Sequence, residues 1–158
     1  MKKFYIKQKV LSLSEKYTVK NEQGEDAYFV KGSFMHIPKS FSISNITSEE
    51  VGIVTKKIFT LLPKFFVKIK GQRQTLTIRK KFSFFKPKYT IDASDIEVKG
   101  NWWEMNFQLI KQGEVIGDVS KAWFTWGDSY KVQVLDEANE TTILSIVIAI
   151  DYVKADQQ

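Results

Sequence analysis

The run Thr141-Thr142-Ile143-Leu144-Ser145-Ile146-Val147-Ile148-Ala149-Ile150 decides the fold. It sits between Glu140 and Asp151 and is the most hydrophobic stretch of the chain. With Asn139 ahead of it as a candidate cap, the run reads as a helix in which every face except that of Ser145 is apolar. Such a helix has to be covered on all sides. Its length falls well short of the roughly 20 apolar residues that cross a bilayer, so the covering must come from the rest of the chain. Ser145 and Ala149, one turn apart, make a slim face against which a strand can press closely.

Upstream of the run, everything reads as strands. Short alternating segments are punctuated by turn residues at intervals of roughly 8 to 12 residues, the pattern of an antiparallel sandwich or barrel. The candidate strands are 3–11, 16–20, 27–34, 41–46, 51–58, 64–70, 72–81, 88–91, 95–99, 104–112, 115–121 and 129–136. Asn21-Glu22-Gln23-Gly24, Lys70-Gly71-Gln72 and Lys111-Gln112-Gly113-Glu114 supply Gly or Asn where hairpins need positive φ. Pro38, Pro63 and Pro87 fall in connections or at strand edges, where a missing N–H does no harm. About twelve strands leave a lumen wide enough for a helix of roughly 10 to 12 Å, whereas eight are filled by their own side chains. The expected fold is therefore mainly β: a closed antiparallel barrel of about twelve strands enclosing a C-terminal hydrophobic helix. Asp151, ending the run, is expected where the helix emerges at the barrel mouth and meets a cation or water.

A chain of 158 residues reads as one domain, 1–158, able to bury a core without disulfides. With no cysteine, it has no thiolate metal site and no cysteine nucleophile, and it suits a reducing compartment. Lys7 and Lys9 interrupt any signal-peptide core after Met1, which points to the cytoplasm, with peripheral attachment to a membrane as the variant.

The net charge of +6 conceals a segregation. Between Glu50 and Asp92 there is no acidic residue, and that window holds eleven cations, leaving 13 basic residues against 18 acidic ones elsewhere. In a hairpin from this window, alternation sets Lys64, Lys68 and Lys70 opposite Phe65, Val67 and Ile69. Arg73, Arg79 and Lys81 alternate with Leu76, Ile78 and Phe82, and Lys86 and Lys88 follow. Lys64, Lys68, Lys70, Arg73, Arg79, Lys81, Lys86 and Lys88 are the candidate ligands for an anionic headgroup or phosphate. Strand lysines also keep a protein soluble and blunt edge pairing, which needs no ligand. Phe82-Ser83-Phe84-Phe85-Lys86-Pro87-Lys88-Tyr89 could wedge into a bilayer or stack on bases, but rings near turns more often close a barrel end. Leu61-Leu62-Pro63 with Phe65-Phe66 is a similar case. Trp102 and Trp103, if extended, point to opposite sides.

Catalysis has little to stand on. His36 is the only histidine, so any His-dependent triad would have to be built on it. Asp92-Ala93-Ser94-Asp95-Ile96-Glu97 begins like a calcium loop but lacks its glycine and closing glutamate. No metal, cofactor or enzymatic activity is expected.

Gly32-Ser33-Phe34 leading to Lys39-Ser40-Phe41-Ser42-Ile43, then Val51-Gly52-Ile53-Val54-Thr55-Lys56-Lys57, resembles the opening half of the LURP-one-related family. Gly100-Asn101-Trp102-Trp103-Glu104-Met105-Asn106-Phe107, Trp126-Gly127-Asp128-Ser129-Tyr130 and Ile146-Val147-Ile148-Ala149-Ile150-Asp151 carry the resemblance through the rest of the chain. It implies a twelve-stranded barrel around a C-terminal helix, shared with tubby C-terminal domains and, by resemblance, with phospholipid scramblases. It lends no reaction. Tubby relatives suggest binding of phosphoinositide headgroups through basic residues on the barrel wall, so the expected partner is an anionic phospholipid surface. Nucleic-acid binding through the same strip, or a structural role, is the alternative. The oligomeric state stays open.

Overall fold

A computed structural model describes residues 1–7, 16–33, 38–57, 59–81, 88–92, 95–122 and 129–155 of the chain. Among the described residues twelve strands precede one α-helix: β1 (Lys2–Lys7), β2 (Lys16–Lys20), β3 (Asp26–Gly32), β4 (Ser40–Asn45), β5 (Glu50–Lys57), β6 (Lys64–Ile69), β7 (Leu76–Lys81), β8 (Lys88–Asp92), β9 (Ile96–Asn101), β10 (Asn106–Lys111), β11 (Glu114–Ala122), β12 (Ser129–Val134) and α1 (Glu140–Ala155). Most strand ends fall within two residues of those expected. β7 is the exception, starting at Leu76, because residues 70–75 are spent on the turn. Positions 8–11, 34 and 58 of the expected strands lie outside the described residues. Gly24, Gly71 and Gly113 have φ of +80°, +79° and +84°, as the hairpins require.

Hydrogen bonding joins the strands in the order β8-β7-β6-β5-β4-β3-β2-β1-β12-β11-β10-β9, every neighbour antiparallel. β1 and β12 close the wall, from Lys2 opposite Val134 to Lys7 opposite Ser129. β8 and β9 end the hydrogen-bonded order, so the barrel is nearly closed, with its seam between them. Register shifts in β2–β3, β4–β5 and β10–β11 add the local bending that closure needs. Alternate strand residues face inward, as Phe65, Val67 and Ile69 of β6 do.

The helix fills the lumen. Every residue from 142 to 154 is buried, since α1 is apolar on all faces and strands surround it. Its first turn is tied to separate strands and a turn. Tyr28 Oη donates to Glu140 Oε1 at 2.6 Å, Lys2 Nζ to Glu140 Oε2 at 2.7 Å, and Gln72 Nε2 to Thr142 Oγ1 at 2.6 Å. Asn139 does not cap α1. It ends a 3-10 turn (Glu137–Asn139) whose cap is Asp136, which accepts from Ala138 N at 3.0 Å and Asn139 Nδ2 at 2.6 Å. Among the described residues no helix is long and apolar enough to cross a membrane.

The slim helical face meets the wall as expected. A Cβ on Gly52 of β5 would lie 2.8 Å from Ser145 Oγ, so only glycine admits the helix this close. Ser145 is fully buried and its hydroxyl has no hydrogen-bond partner among the described residues, so it contributes little beyond its small size. Across the lumen, Gly117 of β11 leaves the same kind of space for Ile143, whose Cγ2 a Cβ would approach to 3.0 Å.

Asp151 corrects the sequence expectation. The helix runs on to Ala155, so the carboxyl lies inside the barrel rather than at its mouth, and the residue is 4% exposed. Tyr17 of β2, Tyr130 of β12 and Lys154 are its polar neighbours. The Tyr130 hydroxyl lies beside it at a geometry short of a well-formed hydrogen bond. Burial pushes the Asp151 carboxyl up to about 6, against the opposing pull of the Lys154 charge and the Tyr130 hydroxyl. Burial, reinforced by the Asp151 charge, holds both tyrosines well above their ordinary range.

Gly52→Ala should destabilise the chain by about 1–3 kcal/mol in urea unfolding. Ser145→Ala alone should be nearly neutral, and the double variant should recover most of the loss; strict additivity would show that the two residues do not touch. Asp151 gives a second expectation. Its folded pKa lies above its unfolded one, so its contribution to stability is complete below about pH 4 and is lost as pH rises through about 6. Asp151→Asn lacks this titration. The stability of that variant relative to the parent should climb by about 3 kcal/mol between those pH values and then level off. A difference that does not vary with pH would place the carboxyl in water.

Candidate anion-binding site

Each hairpin reverses the chain, so the register decides which charges share an end of the barrel. Lys57 of β5 lies opposite Lys64 of β6, and Lys64 lies opposite Arg79 of β7, which makes one row across three strands. In the register of the next pair position 81 is the partner of position 88, beyond Arg79 and towards the same end. On the far side of the barrel Lys16 is opposite Lys31. Like charges directly opposite each other destabilise a ladder, and here they recur at one end of the molecule. Among the described residues no ion pair involves Lys57, Lys64 or Arg79. The carboxylate nearest in register is Asp92, opposite Thr77 and two pairs further from that end than Arg79.

Phe66 forms the floor of this corner. It points outward, half-buried, and the ammonium groups of Lys64 and Lys57 stand over its ring at 4.9 and 5.8 Å from the centroid. Loss of hydration among these neighbours, and the charges of Arg79 and Lys57, hold the Lys64 ammonium below the usual lysine range. A bound anion would relieve both the repulsion and the shift. The arrangement can therefore hold a phosphate or carboxylate between three cationic side chains, with an apolar surface beneath.

The other expected ligands are dispersed. Lys68 is exposed at mid-strand, opposite Ile53. Lys70 follows the far end of β6, about 20 Å along the strand from Lys64. It forms an ion pair with Glu49, whose carboxyl is held below its usual range first by that bond and then by Asn45. Arg73 is exposed in the same turn as Lys70. Lys86 lies outside the described residues, as do 82–87 of the aromatic segment.

Among the described residues the polarity runs along the barrel axis. Lys7, Lys16, Lys31, Lys39, Lys57, Lys64 and Arg79 border connections at one end. Glu22, Glu25, Glu49, Glu50, Asp95, Glu114, Asp136 and Glu137 border connections at the other. Glu104, paired with Lys121 at 3.4 Å, is the exception at the basic end, and most cations at the acidic end, Arg73 apart, are matched by opposite charges. Lys20 pairs with Asp26, Lys70 with Glu49, and Lys111 with Asp95 at 3.3 Å. The sequence window contained Lys57 but did not select it, and Lys16, Lys31 and Lys39 lie outside that window. Hairpin parity was the signal that could have gathered them: residues flanking alternate turns belong to the same end.

Trp102 and Trp103 do not extend. Asn101 Oδ1 accepts from Glu104 N at 3.1 Å and starts a 3-10 turn (Trp102–Glu104), so both indoles are half-buried and meet edge to face at 5.6 Å. His36, Trp123 and Trp126 lie outside the described residues. Of the acidic trio weighed as a calcium loop, Asp92 ends β8, Asp95 reaches Lys111, and Glu97 is exposed on β9. Among the described residues no group of side chains is arranged to hold a metal ion.

The uncharacterized protein YxjI of Bacillus subtilis (strain 168) is 29% identical over 153 residues, spanning 97% of this chain and 94% of its own length. The X-ray structure of the Arabidopsis thaliana protein AT5G01750 matches the fold with a TM-score of 0.57 at 12% identity, over 95% of this chain and 91% of that one. The sequence model of the LURP-one-related family matches residues 2–151. Strand by strand and across nearly all its length, then, the chain belongs to the LURP-one-related family.

Proposed function

We propose that this chain is a non-catalytic binding domain that docks the basic end of its barrel on anionic phospholipid headgroups. The observation that carries the reading is the row Lys57, Lys64, Arg79, like charges set side by side without a carboxylate partner among the described residues. Like charges set opposite each other cost the ladder stability, and an anion from outside would offset that cost. At about 1 kcal/mol per cation near an acidic leaflet, three contribute about 3 kcal/mol, roughly a hundredfold in partition.

Axial polarity favours a flat partner. With cations at one end and carboxylates at the other, an anionic surface attracts the first and repels the second, so the barrel stands end-on. A nucleic-acid strand would be better served by a strip running down the wall, and Lys64 and Lys70 are too far apart and too differently paired to make one. The resemblance to tubby C-terminal domains, with their phosphoinositide-binding barrel, supports the same reading.

Sedimentation with phosphatidylcholine vesicles, with and without phosphatidylserine or phosphoinositide, tests it. The chain should pellet with acidic vesicles alone, and raising salt should release it. Replacing Lys57, Lys64 and Arg79 together by Glu should abolish pelleting, while Lys70→Glu should reduce it less than threefold. Equal binding to neutral vesicles, or binding indifferent to the triple reversal, would overturn the reading. Retention on RNA or DNA at low salt, without vesicle binding, would transfer the same corner to nucleic acid.

A further inference from the structure

The connection from β5 to β6 leaves the barrel at the basic end, and its described residues, 59–63, carry two apolar side chains in full contact with solvent. Phe59 is 99% exposed and Leu61 98%. The other exposed large apolar residues described range from 37% to 68%. A single exposed apolar side chain is ordinary, but two at the tip of one connection, bracketed by Lys57 and Lys64, are not. Phe59 also has φ of +56°, a left-handed conformation that costs energy for any residue with a Cβ and is especially unfavourable for a bulky one. The opposite end supplies the contrast: Ile46, the most exposed large apolar residue described there, stands in the connection that carries Glu49.

We propose that Phe59 and Leu61 insert into the interfacial layer of an acidic bilayer while Lys57, Lys64 and Arg79 engage the headgroups around them. The inference rests on the headgroup reading above and adds to it a depth and an orientation. The occupant is a membrane because the apolar tip and the cation row share one end, and an acidic leaflet offers anions at its surface with hydrocarbon just beneath. A soluble phosphate would satisfy the cations and leave the two side chains in water. Leu62 and Pro63, next in the chain, are half-buried.

The absence of cysteine makes the test clean. Leu61→Cys and, as the control at the acidic end, Ile46→Cys each carry one environment-sensitive nitrobenzoxadiazole label. On adding phosphatidylcholine–phosphatidylserine vesicles, the label at 61 should shift to the blue, brighten several-fold and be quenched by spin-labelled lipid, while the label at 46 stays aqueous. In the unlabelled chain, Phe59→Ser with Leu61→Ser should weaken vesicle binding by roughly tenfold or more without changing the melting temperature. Pelleting with acidic vesicles while the label at 61 remains aqueous would overturn insertion and leave headgroup binding intact. Failure to pellet would overturn both. A blue shift that follows protein concentration without lipid would make the tip a contact between copies of this chain and overturn the proposal.

Discussion

The contact on which the rest of the structure depends is that between an all-apolar helix and a wall that surrounds it. Neither part is stable alone: α1 has no polar face to turn to water, and a twelve-stranded barrel without it encloses a void. The closest point of that contact is Gly52 against Ser145. Side chains such as Ile143, Leu144 and Ile150 are completely buried, each contributing about 1.5–3 kcal/mol by leaving water. The tyrosine at the far end of the helix shows how thoroughly the lumen is used: Phe41 and Phe65 pack on the Tyr152 ring at 4.3 and 5.4 Å. The core polar cluster at Asp151 is the exception and weakens the fold at neutral pH.

The two ends of the barrel divide the electrostatic labour. At the acidic end opposite charges pair across turns and fasten the start of the helix, as Glu140 does with Lys2 and Tyr28. At the basic end the row Lys57, Lys64 and Arg79 sets like charges opposite each other, without an ion pair among the described residues. The internal pairing of the first end makes the second conspicuous, since the same chain that neutralises Lys70 with Glu49 leaves Lys64 between Lys57 and Arg79.

The architecture was legible because it rests on local periodicity. Alternation in segments such as Lys64 to Ile69, turn glycines, and one run with no polar face define strands and plug without any knowledge of contacts. Three features were not legible, each for a different reason. Asn101 bends the chain with a side-chain hydrogen bond and overrides the extended reading of Trp102 and Trp103. Asp151 reads as a helix end because carboxylates seldom enter cores, yet α1 continues past it. The cation row was read as a strip down the wall, because a sequence window groups neighbours in the chain. Each strand carries the chain from one end of the barrel to the other, so Lys64 and Lys70, near in sequence but at the two ends of β6, finish an entire strand apart.

The ladder between β1 and β12, with the helix following it, has a consequence for how the molecule is made. Of the described strands the earliest, β1, pairs with the latest, β12, and the element that fills the interior is synthesised after both. Contacts of such long sequence separation form slowly, and until they form the emerging strands expose their apolar faces. Closure of the wall thus waits until α1 has been made and can fill the interior.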